Sequence, residues 1–466
     1  MNRVVIRGGA VLTLDPQLGQ FAAADVVVED GVIAAVAPGI GESVGDAEVI
    51  DAGDMIVMPG FVDTHRHTWQ APLRHIASDW SLGQYFTGIH RGFSAHYRPQ
   101  DTYAGTLIGA VEALDSGITT LVDWSHNLST PEHADAAVQA LRDSGMRAIF
   151  THGGGPAMYQ QVPSPVPHDR DVVRVRAEHF SSEDQLVTMM FGPRVFQYST
   201  PEIALQDWKL GRELGLRFSI HVGDGEWGKH GPVAKMRDHG LLADDITYLH
   251  CNTLSDDELK MMADSGGTAS VAADGEATQG HGWPATGRLI RAGIRPSLSI
   301  DVCPATGGSM FHAMKATISI ERALDNATRS NAVEQRGLAL TCQDVLEFAT
   351  IEGARACGLE ARTGSLTPGK DADLIMIRTD DLAMTPLNHP AGAVVNSAHT
   401  ALVDTVMVRG EIVKRHGRLV GQDIREIRRL AIATRDHLLE QASTDAGIND
   451  AALGGHWMPV PLVAEF

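Results

Sequence analysis

Met58-Pro-Gly-Phe-Val-Asp-Thr-His-Arg-His67 is predicted to be a buried β-strand that presents two histidines at its C-terminal end. Side chains two positions apart on a strand point to the same side, so His65 and His67 can face one ion. Imidazole is the commonest side-chain metal ligand, and Zn²⁺ binds it readily. A His-X-His pair alone is weak evidence, because polar residues also occur near strand ends without a metal. Further ligands must therefore come from the rest of the chain.

The central part of the sequence, from about residue 58 to 360, predicts a (β/α)8 TIM barrel. Strand and helix patterns alternate there, which is typical of parallel strands with crossover helices such as Thr102–Leu114 and Glu132–Leu141. The active site of such a barrel lies at the C-terminal ends of its strands. The eight strand candidates are Met55–His65, Thr119–Trp124, Ala148–His152, Val187–Phe191, Arg217–Val222, Ile246–His250, Thr268–Ala272 and Ser297–Asp301.

Both ends of the sequence are predicted to form one small β-sandwich. Runs rich in β-branched residues occur in residues 1–57, with Asp30-Gly31 as one of the turns, and again in 366–377 and 403–413. The predicted domains are a β-sandwich of 1–57 and 363–421, a barrel of 58–362, and a C-terminal helix and tail of 422–466.

The C-terminal segment has two parts. Helix Gln422–Gln441 is amphipathic and is predicted to dock on the barrel or on a partner subunit. The apolar tail, which includes Trp457-Met-Pro-Val-Pro461, is predicted either to pack across an interface or to be disordered.

Composition excludes several classes of partner. The 466 residues carry a formal net charge of −20, which argues against nucleic acid and anionic membranes as partners. We find no secretory signal and no apolar run of about 18 residues that would span a membrane. The four cysteines form no Cys-X-X-Cys pair, so free thiols and a cytoplasmic location are expected.

Three more predicted strands end in ionisable side chains, namely His221, His250 and Asp301. Each follows an apolar run, so each would be buried at the barrel mouth. A buried imidazole or carboxylate is costly without a metal or a hydrogen-bond partner. A structural role can explain any one of them, but a shared site explains all three better.

The segment Pro59–His67, with Asp63 two residues before the first histidine, resembles the first barrel strand of the amidohydrolase superfamily. Pro368–Leu374 resembles the entry to the C-terminal strands of the same superfamily. The resemblance is to the branch of cytosine deaminase and atrazine chlorohydrolase. It implies that one divalent metal, Zn²⁺ or alternatively Fe²⁺, is bound by four side chains. These implied ligands are His65, His67, His221 and Asp301.

The nuclearity of the metal site can be judged from the fourth strand. Another branch of the superfamily bridges two metals with a carbamylated lysine from that strand. Here the strand ends Phe191-Gly-Pro-Arg194 and contains no lysine. This absence favours a mononuclear site.

The resemblance also implies a mechanism. A bound metal lowers the pKa of its water from about 15.7 to near 7. Asp301 would take the proton of that water, and His250 would hydrogen-bond the attacking or developing oxygen. In the related branch, the glutamate of a His-X-X-Glu motif is the acid, whereas His221-Val-Gly-Asp224 carries aspartate here. Asp224 is the predicted acid, with Glu226 as the reserve.

Substrate contacts are predicted at Gln70, Trp69 and Arg194. Trp69 could stack on a flat heterocycle or serve in packing, and Arg194 could contact substrate or form a surface ion pair. The long connections Thr68–Arg98 and Gly153–Arg170 are expected to be substrate walls or lids. Four other histidines, His126, His152, His281 and His312, are predicted not to be ligands, and Cys303 is predicted to be a buried apolar group rather than a nucleophile.

The leading hypothesis is a metal-dependent hydrolase that attacks a carbon–nitrogen bond of a nitrogen heterocycle, acting as an aminohydrolase (deaminase). Its partners would be a small heterocyclic substrate and copies of itself in a dimer or tetramer. One alternative is a triazine-type hydrolase that removes chloride or alkylamine, or a cyclic amidase, on the same site. A non-catalytic scaffold on the same barrel is a remote alternative.

Overall fold

The computed structural model describes residues 3–43, 45–328 and 337–444; the apolar tail with Trp457 lies outside these residues. The strands of the described part are β1 (Arg3–Leu12), β2 (Gln20–Glu29), β3 (Val32–Ala37), β4 (Glu48–Asp51), β5 (Met55–Pro59), β6 (Phe61–Arg66), β7 (Ile118–Ser125), β8 (Arg147–His152), β9 (Val187–Phe191), β10 (Phe218–Val222), β11 (Ile246–His250), β12 (Thr268–Val271), β13 (Ser297–Leu298), β14 (Leu374–Arg378), β15 (Val403–Val408), β16 (Glu411–Arg415) and β17 (Arg418–Leu419).

Helices cover the barrel strands and follow most of them. They are α1 (Leu82–Tyr85), α2 (Pro99–Asp115), α3 (Pro131–Ser144), α4 (Asp171–His179), α5 (Val195–Tyr198), α6 (Pro201–Glu213), α7 (Pro232–Asp238), α8 (Asp256–Asp264), α9 (Ala273–Gln279), α10 (Thr286–Ala292), α11 (Met310–Thr328), α12 (Cys342–Phe348), α13 (Ile351–Ala356), α14 (Pro390–Asn396) and α15 (Ile424–Thr444). Among the described residues, no helix is both long and apolar enough to cross a membrane.

Strands β6 to β13 form an eight-stranded parallel sheet in sequence order. The sheet closes where the last strand meets the first, because the Asp301 amide donates to the carbonyl oxygen of His65 at 2.9 Å and the His67 amide donates to that of Asp301 at 2.9 Å. Thr64 Oγ1 lies 2.7 Å from Ser270 Oγ in the interior. The predicted barrel is confirmed, and its closure brings three of the four predicted ligands to one seam.

The second sheet is built from both ends of the described chain, as predicted. It has nine strands in the order β17-β16-β15-β14-β5-β1-β2-β3, with β4 paired to β1. The two ends join where β14 runs antiparallel to β5, with Ile375 opposite Met58. Alternating apolar side chains such as Val26, Ile33 and Met376 are buried in its core.

The predicted strand Met55–His65 is wrong as a single strand. Its first half is β5 in the mixed sheet, its second half is β6 in the barrel, and the chain changes sheets at Gly60. A side chain at Gly60 would meet the Thr119 side chain at 2.2 Å, so the close approach of the two sheets requires glycine. The last predicted strand, Ser297–Asp301, is also shorter, because Asp301 joins the sheet only through an isolated bridge to Arg66.

The C-terminal helix α15 packs against α2 and against the segment that follows β6. Its buried Leu438 lies in one apolar cluster with Trp69 and Leu73. Thr434 Oγ1 donates to Asp101 Oδ1 of α2 at 2.9 Å. The helix therefore supports the first long connection, which forms part of the wall of the site.

A buried ion pair joins the two sheets at the N-terminal end of the barrel. Arg147, the first residue of β8, donates from Nε to Asp373 Oδ2 at 2.7 Å and from Nη2 to Asp371 Oδ2 at 2.7 Å. Asp373 Oδ1 also accepts from the Arg409 amide at 2.7 Å. The acidic pair of Pro368–Leu374 thus anchors the mixed sheet on the barrel.

Replacing Asp373 by Asn is expected to destabilise the fold by roughly 3–5 kcal/mol, because the buried Arg147 guanidinium would lose its matching charge. Asp371→Asn is the matched control, since the Asp371 side chain is 13% exposed whereas that of Asp373 is 0% exposed. Thermal and urea unfolding would measure the loss, with metal content unchanged in both variants. Equal losses in the two variants would contradict the argument.

Candidate metal centre and catalytic cavity

Three strand ends bring the four predicted ligands together. His65 Nε2 lies 3.2 Å from Asp301 Oδ1, and His67 Nε2 lies 3.4 Å from the same oxygen. The ring of His221, at the end of β10, has its centroid 4.7 Å from that of His65 and 5.6 Å from that of His67. The ligand atoms of His65, His67 and Asp301 form one close group, and His65 shares a second close group with His221 and His250.

The charge states of these groups suit metal binding. Burial lowers the pKa of His65, and burial together with neighbouring imidazoles lowers the pKa of His67 and His221 well below the usual value. Burial opposes ionisation of Asp301, but contacts with His65 and the nearby histidines hold its pKa far below the ordinary range. Burial thus favours neutral imidazoles, and the surroundings of Asp301 favour a carboxylate, which are the protonation states that a divalent metal requires.

Unpaired atoms test whether a metal fits. Both ring nitrogens of His65 are buried: Nδ1 has no hydrogen-bond partner among the described residues, and Nε2 lies 3.2 Å from the carboxylate of Asp301, an arrangement that a shared cation would stabilise. His67 Nδ1 lies 2.7 Å from the carbonyl oxygen of Trp124, so Nδ1 carries the proton and Nε2 is free toward Asp301. The ligand atoms of His65, His67 and Asp301 lie within 4.8 Å of one another. The donor set fits one divalent metal.

His250 differs from the ligand histidines in its charge. Its Nδ1 lies 3.2 Å from Glu276 Oε1, and that oxygen also accepts from the Ala272 amide at 2.8 Å. Burial lowers the pKa of His250, but Asp224, Glu276 and Asp301 outweigh it and raise the pKa to about 10. Its Nδ1 is fixed on Glu276, which leaves Nε2–H to hydrogen-bond a developing negative charge.

The backbone at this rim is strained. His250, Cys251 and Asp301 have φ values of 73°, 63° and 62°, in the left-handed region that non-glycine residues rarely adopt. Such conformations cost roughly 1–3 kcal/mol each and cluster at functional sites. The strain turns His250 and Asp301 inward at the points where their strands end.

Asp224 faces the cavity, and Glu226 does not. Asp224 is 2% exposed, accepts a hydrogen bond from the Tyr198 hydroxyl, and keeps Oδ1 without a hydrogen-bond partner among the described residues. The Glu226 side chain is 84% exposed and pairs with Lys229. The reserve role predicted for Glu226 is therefore corrected, because a short 3₁₀ turn points this side chain into solvent.

Two of the predicted substrate residues lie behind the cavity wall. Trp69 and Gln70 are fully buried and do not line the cavity. Trp69 Nε1 donates to His126 Nδ1 at 3.0 Å, and Gln70 Nε2 donates to the Tyr85 hydroxyl at 2.7 Å. The predicted direct contact of Trp69 and Gln70 with the substrate is therefore corrected. The two side chains instead support His126 and Tyr85, which line the cavity.

Arg194 lines the cavity, so a surface ion pair is excluded for it. Its guanidinium donates from Nη1 to the Met158 carbonyl at 2.5 Å and from Nη2 to the Val166 carbonyl. Asp207 Oδ2 lies 3.9 Å from Nη2 of Arg194. Arg194 is thus engaged mainly in holding the loop 153–170 against the barrel mouth.

The cavity spans about 520 Å³, a volume that includes space open to solvent, and it is walled mainly by aromatic and imidazole rings. Tyr85, Phe86 and His90 come from the first long connection, and Tyr159 comes from the second. The remaining lining residues are His67, Leu82, Trp124, His126, Pro193, Arg194, Tyr198, His221, Asp224, His250, His281 and Asp301.

The histidines predicted not to be ligands fall into different settings. The indole N–H of Trp69 can only donate, so His126 Nδ1 accepts and cannot also hold a metal. His152 does not line the cavity, and its Nδ1 lies 2.9 Å from His168 Nε2. His312 is exposed. His281 does line the cavity.

Burial raises the pKa of the Cys303 thiol, which disfavours a nucleophilic thiolate.

Sequence reasoning missed Glu276 and Tyr198. Glu276 follows the end of β12, so the rule that found the other strand-end residues could have found it. Tyr198 ends the four-residue helix α5, which has no sequence signal of its own.

Comparison with known proteins agrees with this geometry. The model of the "Amidohydrolase family" matches residues 56–413. A 5-methylthioadenosine/S-adenosylhomocysteine deaminase of Symbiobacterium thermophilum is 32% identical, with 89% of this chain and 94% of the relative covered. A 5'-deoxyadenosine deaminase of Methanothermobacter thermautotrophicus is 28% identical, with 92% of this chain and 99% of the relative covered.

Solved structures with the same fold include two zinc-bound enzymes. An adenosine deaminase from Xanthomonas campestris has a TM-score of 0.82 at 22% identity, with 94% of this chain and 98% of that chain covered. An atrazine chlorohydrolase from Arthrobacter aurescens has a TM-score of 0.79 at 21% identity, with 93% of this chain and 100% of that chain covered. The resemblance read from the sequence and the expectation of a hydrolase acting on carbon–nitrogen bonds are confirmed. The chain belongs to the amidohydrolase family, whose model covers the barrel, the metal-ligand candidates and the strands β14 and β15 of the mixed sheet.

Proposed function

We propose that the protein is a mononuclear, metal-dependent aminohydrolase that releases ammonia from the 6-amino group of an adenine nucleoside or a closely related purine. The observation that carries this proposal is the group of His65, His67 and Asp301 beside a cavity that is also lined by His221, His250 and Asp224. Zn²⁺ is the proposed metal, with Fe²⁺ as the alternative. The deaminase activity of the relatives supports the choice of leaving group.

The proposed roles follow from the position and charge of each side chain. When bound, a divalent cation lowers the pKa of a coordinated water to near 7 and so supplies a nucleophile at neutral pH. Asp301 accepts the proton of the attacking water, and His250 donates from Nε2 to the oxygen that develops on the attacked carbon. Asp224 delivers a proton from Oδ1 to the ring nitrogen or to the departing amine. This oxygen has no hydrogen-bond partner in the described part of the chain.

The walls of the cavity support a flat aromatic substrate. The ring centroids of Phe86 and Tyr198 are 6.2 Å apart, and those of His90 and Tyr159 are 5.6 Å apart. Aromatic side chains favour stacked or edge contacts with planar heterocycles. A homo-oligomeric state and a cytoplasmic location stay predictions from the sequence.

Removal of the metal is expected to abolish activity. Dialysis against a chelator should remove ammonia release from 5-methylthioadenosine or 5'-deoxyadenosine, and about one equivalent of Zn²⁺ per chain should restore it. Ammonia release and metal content would be measured on the same samples. Full activity of the metal-free protein would contradict the proposal.

The substrate class is tested with a panel of aminated and chlorinated heterocycles. We expect ammonia release to be fastest from 6-aminopurine nucleosides and slower from aminated pyrimidines, pterins and triazines. Chloride release from a chlorotriazine that exceeds ammonia release from every purine would instead favour the triazine-type hydrolase.

A further inference from the structure

A second group of potential ligands lies beside the first, around His250. Asp224, His250 and His281 offer ligand atoms that all lie within 4.8 Å of one another, and all three side chains are buried. Asp224 follows β10, His250 ends β11, and His281 lies between α9 and α10. Three separate segments of the chain therefore converge on this point.

Each of the three side chains keeps a free atom for this point. His281 is 4% exposed, and neither of its ring nitrogens has a hydrogen-bond partner among the residues described. Tyr198 holds one oxygen of Asp224, while the other, Oδ1, is buried and unpaired within the same residues. Glu276 holds Nδ1 of His250, which leaves Nε2 for the cavity. Unpaired buried atoms are costly, and a cation would satisfy them together.

We propose that Asp224, His250 and His281 form a second cation site, that it takes Zn²⁺, and that its occupation inhibits the enzyme. Two imidazoles and one carboxylate with an open water position are a ligand set that Zn²⁺ accepts. A cation here lies near the first metal and is repelled by its charge, so this site binds more weakly than the first.

The inhibition, unlike the site itself, rests on the proposed function. In that function Asp224 delivers a proton and His250 hydrogen-bonds the developing oxygen. A cation bound to both would occupy Asp224 Oδ1 and His250 Nε2, so neither atom could serve the reaction. Zn²⁺ above the first equivalent is therefore expected to stop turnover without displacing the catalytic metal.

The site is tested by equilibrium dialysis of the holoenzyme against increasing Zn²⁺, with metal content measured per chain. Wild type should take up a second equivalent, whereas His281→Gln should stop at the first. His90→Gln is the matched control, because His90 lines the same cavity but belongs to none of the ligand groups. The proposal would be overturned if wild type stopped at the first equivalent of Zn²⁺ or if His281→Gln took up the second. It would also be overturned if His90→Gln failed to take up the second equivalent.

Two further measurements keep the proposal falsifiable if a variant fails to fold. Anomalous diffraction from zinc-soaked crystals of wild type should show a peak between Asp224, His250 and His281, and its absence would overturn the site. Since even outer-shell changes cost about 10–100-fold in metal affinity, His281→Gln should raise the Zn²⁺ midpoint for inhibition about 100-fold. Uptake of the second equivalent without inhibition would overturn the inhibitory role, whereas a lack of ammonia release at any Zn²⁺ level would count against the proposed function alone.

Discussion

Replacing Asp301 by Asn is expected to lower kcat for deamination by roughly 10³–10⁴-fold, near the upper end of the effect of losing a positioned proton-transfer group. The carboxylate lies 3.2 Å from His65 Nε2 and 3.4 Å from His67 Nε2, so it is placed to bind the same cation. An amide keeps the shape of the side chain but supplies no negative charge and accepts no proton. Metal content per chain should also fall.

Asp123→Asn is the matched control for Asp301→Asn. Asp123 is a buried carboxyl near the end of β7, and Oδ1 accepts from Thr68 Oγ1 at 2.6 Å. Burial raises the pKa of Asp123 to about 7, so much of this carboxyl is already neutral at neutral pH. Its amide variant should keep metal and most of its activity. Turnover by Asp301→Asn at the wild-type rate, or equal losses in both variants, would contradict the role of Asp301.

The metal-ligand candidates could be predicted from the sequence because a simple geometric rule governs them. Parallel strands of a barrel end on one face, so polar residues that end apolar strands converge there. His221, His250 and Asp301 were found in this way, and the spacing of His65 and His67 follows from the two-residue period of a strand. No knowledge of loop conformation was needed for any of these five residues.

The residues on loops and turns could not be predicted with the same rule. Glu226 lies only two residues after Asp224, yet a 3₁₀ turn separates an exposed side chain from a buried one. Trp69 was expected near the substrate, but it packs with Leu73 and Leu438 of α15, which is distant in sequence. Such contacts depend on tertiary packing, which a local pattern does not encode.

The strand boundary at Gly60 shows a different limit. Residues 55–62 are almost continuously apolar, so the apolar pattern alone indicates one strand. The chain changes sheets there because β5 finds partners in β1 and β14, while β6 finds its partner in β7. The proline and glycine at positions 59 and 60 were the only local indication of this break.

Replacing Asp224 by Asn is expected to lower kcat for ammonia release by roughly 10²–10³-fold, within the range for loss of a general acid. Asn is nearly isosteric and can still accept the hydrogen bond of Tyr198, so folding and metal content should be preserved. Glu226→Gln, only two positions away, should keep kcat within about twofold, because surface changes of this kind have small effects and the Glu226 side chain is 84% exposed.

A substrate with chloride in place of the amino group separates the two proton-transfer roles of Asp224. Chloride leaves without a proton, so Asp224→Asn should lose less activity on a 6-chloropurine nucleoside than on the amino substrate if the acid serves the leaving amine. Equal losses on both substrates would assign the proton to the ring nitrogen instead. Full ammonia release by Asp224→Asn, or a large loss in Glu226→Gln, would contradict the assignment of Asp224 as the acid. A loss confined to Asp224→Asn would support the proposal that the shorter aspartate serves as the acid, since Tyr198 holds one of its oxygens and Oδ1 has no hydrogen-bond partner among the described residues.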